Sequence, residues 1–198
     1  MFKRTKGYLL LTMLVLTGLA GRFHTETLTG KERRTLLQEI KEAKAAFNES
    51  IHGLSNKQLN YRKGKGQPSV KDYIYQAVSA EQHFWSSAKY ALLQQGAIRK
   101  NMLTDDCLDD LIREDSKRIC GEVKNFTSVD EALSSLKKEN AVQLKYIRTT
   151  TENVRVHSAQ LPVCRLDAYQ LMMLSALSVQ HFTQKINELK SSPRFPKK

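Results

Sequence analysis

The chain has 198 residues, 40% hydrophobic and 26% charged, with a net charge of +12. That length holds one well-buried domain and is too short for two ordinary ones, and the composition excludes a disordered chain. Less the three charges on Lys3, Arg4 and Lys6 the balance is +9 (12 − 3), yet no run of five basic residues occurs. The charges are spread as on a solvated surface, so specific nucleic-acid binding is not expected. A binder of anionic polymer or membrane surface stands as an alternative that rests on charge alone.

The N-terminus reads MFKRTKG, YLLLTMLVLTGLA, GRFHTE: a basic start, an apolar run from Tyr8 to Ala20, and Gly18 and Ala20 at small-x-small spacing. This is the pattern of a secretory signal peptide cut after Ala20. Residues 1–20 are therefore set apart, and the protein is expected to be exported, periplasmic or extracellular. The run is shorter than the ~20 residues of a membrane span, so membrane attachment is expected only through an uncleaved N-terminus.

From Thr29 onward helix starts recur. Thr29 and Glu32, Ser69 and Asp72, Ser128 and Glu131, and Asp167 and Gln170 each place a capping side chain three residues before an acid or amide. That spacing satisfies free amide groups at a helix start. The first segment, Gly30 to His52, carries Leu36, Leu37, Ile40, Ala43, Phe47 and Ile51 on one stripe. The polar stretch LSNKQLNYRKGKGQPS that follows is read as a connection.

The second segment, Val70 to about Gln95, is apolar over a wide arc, with one polar residue, Gln76, among its apolar positions. A weaker helix is expected around Asp105 to Arg118, docking through Leu108, Leu111 and Ile112. Val129 to about Thr150 and Ala168 to Leu189 complete four long helices, and Pro193 and Pro196 forbid continuation. VRVHSAQLPV has some alternation but no partner strand and is read as a loop. The expected fold is all-α, a four-helix bundle with a short extra helix in its crossover.

Chemistry is sparse. The cysteines, Cys107, Cys120 and Cys164, contain no CxxC. One bridge such as Cys107 to Cys120 is compatible with an oxidising compartment, and buried structural thiols are the simpler expectation. The five histidines include no HxxxH or HExxH, so no local motif announces a metal.

The stretches LSNKQLN, SVKDYIYQAVSAE and INELKSSPRFP resemble the DinB-like (DinB/YfiT) superfamily, and the similarity extends in order over residues 27–198. It is most like exported bacterial members. The resemblance implies a four-helix bundle domain over 27–198, frequently dimeric, so a homodimer is an expected assembly. Typical members hold a divalent metal with three histidines, and some act as thiol-dependent transferases, isomerases or hydrolases.

Carried over residue by residue, the three ligand positions fall on Gln76, Ser178 and Phe182; a one-residue shift recovers His181 alone. A glutamine amide, a serine hydroxyl and a phenyl ring cannot replace three imidazoles around zinc or nickel. The leading expectation is a metal-free, non-catalytic member with a ligand-binding or structural role, an unknown small ligand and no cofactor. The alternative is a metal-dependent hydrolase or thiol-dependent transferase with zinc or nickel on displaced ligands, built from Glu81, His83 and His181 with Gln76.

Overall fold

The computed structural model describes residues 27–94 and 102–197. The signal-peptide expectation for residues 1–20 lies outside them. Four long helices form the bundle: α1 (Gly30–Ile51), α3 (Val70–Leu93), α5 (Val129–Thr149) and α6 (Ala168–Lys190). Three of the four starts close reciprocally. At Thr29, Ser69 and Asp167 the side chain accepts from the amide three residues on, and that residue's side chain accepts from the cap's own N–H. At Ser128 only half of the box forms, because the Glu131 carboxylate instead accepts from the N–H and hydroxyl of Thr127.

The chain connects these helices with three smaller elements. A single turn, α2 (Asn56–Leu59), capped by Ser55 and Gln58, interrupts the stretch expected to be an open connection. A 3-10 turn over Asp105–Cys107 leads into α4 (Leu108–Ile119), the extra helix of the crossover. The expectation of a loop at VRVHSAQLPV is corrected. Strands β1 (Ser158–Gln160) and β2 (Arg165–Asp167) pair antiparallel, with Ala159 opposite Leu166. The missing partner strand was the chain's own next few residues, and Ala159 and Leu166 are both buried.

Helices α3 and α6 share the most extensive contact; α1 packs on α6, α5 on α3 and α1, and α4 on the outside of α6. That position explains composition. Helix α6 has α1, α3 and α4 packed around it and buries Leu171, Met172, Leu174, Val179, Phe182 and Ile186, whereas α1 and α5 keep one charged face. Hydroxyls in this crowded helix are satisfied locally: Ser175 donates to the Met172 carbonyl at 2.7 Å and Thr183 to that of Val179 at 2.7 Å.

The three cysteines are free thiols. Cys107 and Cys120 stand at opposite ends of α4, and twelve helical residues span about 18 Å. A bridge between them is therefore ruled out geometrically. No helix among the described residues is long and apolar enough to cross a membrane.

Candidate functional site

Three helices line an open cleft of about 490 Å³. The first half of α3 supplies Tyr73, Gln76 and Ser79; the last turns of α4 and its exit supply Arg113, Lys117, Cys120 and Val123; α6 supplies His181, Phe182 and Lys185. Its centre is aromatic. The Phe182 ring, 5% exposed, lies 6.4 Å from that of Tyr73 and 5.1 Å from the His181 imidazole, edge-on to the latter. A wider hollow of about 660 Å³ near Lys63, Asn187 and Pro193 lacks such a centre.

The positions aligned with metal ligands divide. Gln76 and Phe182 both line the cleft, as does His181. Ser178 is absent from its lining: it is fully buried and donates its hydroxyl to the Ser175 carbonyl at 3.0 Å. The strong metal donors in the cleft are therefore one imidazole and the Cys120 thiol. Burial, then the charge of Lys185, holds His181 below its ordinary pKa, so it is neutral at pH 7. Burial pushes the Cys120 thiol up to about 12, which leaves it protonated and unreactive. Among the described residues no three His, Cys, Asp or Glu side chains are grouped for a metal ion. The donor set does not fit the zinc or nickel that the family resemblance implies.

The displaced site of Glu81, His83 and His181 does not assemble, and helix geometry is the reason. Two residues of α-helix turn by about 200°, so Glu81 and His83 leave α3 on opposite sides. Glu81 points into the bundle, 2% exposed, where it borders a cavity of about 10 Å³ with Lys44, Asn140, Gln143 and Ser175. Neither carboxylate oxygen has a hydrogen-bond partner, nor has the Gln143 Oε1. Burial, then the charge of Glu139, pushes the Glu81 carboxyl up to about 8, against smaller opposing effects of Lys124, Lys89 and Lys44. At neutral pH it carries its proton.

His83 turns instead to the segment leaving α4. With Ser79 and Gln82 it forms one face of α3 that holds this segment. Ser79 accepts from the Lys124 N–H at 2.9 Å, Gln82 accepts from the Lys124 ammonium, and Gln82 donates to Ser135 at 2.6 Å. Gly121, at φ +70°, lies against the imidazole so closely that an added Cβ would sit 2.6 Å from Nδ1. Gly121→Ala is thus expected to lower stability by about 2 kcal/mol from left-handed backbone strain alone, and by more from the clash. Thermal denaturation should show part of the loss recovered in the Gly121→Ala/His83→Ala pair. A Gly121→Ala protein that melts with the parent would overturn this account of His83.

Sequence reasoning missed α4 as a wall of the cleft. The signal was present: Arg113, Ser116, Lys117 and Cys120 follow helical spacing beside the docking face of Leu108, Leu111 and Ile112.

No family model and no curated protein matches the sequence. Among solved structures the chain is similar to YfiT from Bacillus subtilis, described as a probable metal-dependent hydrolase with an unusual four-helix bundle topology. The likeness has a TM-score of 0.59 at 16% identity and covers 83% of this chain and 89% of that one. What the two proteins share is the fold, and this chain is a four-helix bundle of the YfiT kind.

Proposed function

We propose that this chain is an exported DinB-like domain, residues 27–198 behind a signal peptide cut after Ala20, that binds a small ligand without metal and without catalysis. One observation carries the reading. The cleft between Gln76, His181 and Phe182 has the volume of a small-molecule site, about 490 Å³, but holds one neutral imidazole where a divalent ion needs several strong donors. The Cys120 thiol supplies no thiolate for transfer chemistry, because burial keeps it protonated. The competing reading, a metal-dependent hydrolase, draws on the description of YfiT and would have to be built on His181.

Metal content of natively purified protein separates the two. Zinc and nickel are expected well below one ion per chain and unchanged by His181→Ala. Stoichiometric metal that disappears in His181→Ala would overturn the metal-free reading. Export is tested separately by N-terminal sequencing of the mature chain, expected to begin at Gly21; a full-length chain confined to the cytoplasm would remove it.

A further inference from the structure

We propose that the ligand of this cleft is a small organic anion with a flat apolar body; this rests on the metal-free, ligand-binding reading above. Two features of the cleft point the same way. Its lining includes the row Tyr73, Phe182 and His181, with rings 6.4 and 5.1 Å apart, an aromatic wall for a planar apolar group. Its rim carries Arg113 and Lys117 from α4 and Lys185 from α6, and no acidic side chain is among its lining.

The acids that pair with this rim stand outside the cleft. Asp110 pairs with Arg113, and Glu188 lies 3.3 Å from the Lys185 ammonium. These exposed pairs are weak and exchange readily for another anion. An anionic group entering between α4 and α6 therefore meets cations from two helices, while a cationic ligand meets repulsion from both sides. The neutral imidazole of His181 and the amide of Gln76 add hydrogen-bonding groups without charge. A carboxylate or sulfonate on an aromatic or fused-ring body satisfies both halves of the site.

A matched pair of fluorescent probes tests this on the purified domain. The first is 8-anilino-1-naphthalenesulfonate; the second is N-phenyl-1-naphthylamine, the same body without the charge. The sulfonate is expected to bind saturably and on the order of tenfold more tightly, as befits hydrogen bonds to a charged group. Lys117→Gln and Lys185→Gln, both on the surface, should each weaken it about two- to five-fold and leave the neutral probe unchanged. Val123→Trp, which fills the cleft from a half-exposed position, should abolish binding of both.

Equal affinity for the two probes, with the lysine variants silent, would overturn the anionic ligand and leave the ligand-binding reading standing. Failure of both probes to bind, or binding indifferent to Val123→Trp, would overturn both readings. Benzoate and benzenesulfonate competing against the probe then distinguish carboxylate from sulfonate; competition by neither would overturn the anionic ligand.

Discussion

Arg155→Met is expected to destabilise the domain by about 3 kcal/mol, the lower end of the cost of breaking a buried ion pair. In a domain of this size that corresponds to a fall in Tm of roughly 6–12 °C. Arg155 lies in the loop before β1, yet its guanidinium reaches three other parts of the fold. It donates to Glu32 in the first turn of α1 at 2.9 Å, to Asp105 ahead of α4 at 2.7 and 3.0 Å, and to Asp167, the cap of α6, at 3.1 Å. It also stacks 3.8 Å from the centre of the Tyr169 ring. Burial works against its charge, but the hydrogen bonds and charges of Asp105 and Asp167 outweigh it and raise its pKa. The side chain keeps 19% exposure, which is why the lower end of the range applies.

Removing Arg155 would leave Asp167 buried without its cation. Burial already raises the Asp167 carboxyl, with Arg155 opposing. Asp105 behaves differently: the hydrogen bond from Arg155 holds it below its ordinary value. A lowered carboxylate contributes stability at neutral pH that is lost as pH falls through its folded pKa, so the acid limb of the stability curve should flatten in Arg155→Met. Arg155→Lys keeps the charge but not the planar fork and should fall between. The consequence reaches toward the cleft, because Gln170 and Arg155 together fix Asp105 in the 3-10 turn that leads into α4. A variant with unchanged Tm and unchanged acid denaturation would show that the network contributes nothing net.

Such long-range links were hidden in the sequence, whereas the helices were open to reading. Each long helix announced itself twice, by a cap and by an apolar stripe, and the two signals are local in the chain. Ser128 shows the limit even there, since Glu131 found a nearer donor in Thr127. The hairpin escaped because its second strand is only three residues, Arg165–Asp167, too short to be recognised as a partner for the alternation in VRVHSAQLPV. Arg155 in a loop carried no sign that Glu32, Asp105 and Asp167 would converge on it.

The cleft was half legible. Of the positions the family resemblance pointed to, Gln76 and Phe182 line the cleft and Ser178 does not. Ser178 and Phe182 are one turn apart and share a face of α6, but the bundle closes over the deeper residue. The cleft takes the turn beyond it, with His181 and Lys185. Depth along a helix depends on where neighbouring helices splay, and no periodicity encodes that.

Glu81→Gln is expected to stabilise the domain at alkaline pH, by an amount that grows with pH from nothing. The Glu81 carboxyl titrates near 8 when folded and near 4.5 as a free side chain. A group whose folded pKa is raised contributes its full share of stability below the unfolded value and loses it as pH climbs toward the folded value. The wild-type protein should therefore lose stability between about pH 4.5 and pH 8, on the order of 3–5 kcal/mol in all. Glutamine keeps the shape, cannot ionise, and brings amide hydrogens toward the partnerless Gln143 Oε1. The two proteins should melt together near pH 4.5 and differ by roughly 10 °C at pH 8 to 9. Other charges near this carboxyl are Glu139 on α5, Lys124 after α4, Lys89 on α3 and Lys44 on α1. If Lys44 were instead to hold Glu81 ionised at neutral pH, the two melting profiles would run parallel and Glu81→Gln would destabilise throughout. The other titrating groups are common to both proteins, so the difference between their two pH slopes reports the Glu81 carboxyl itself.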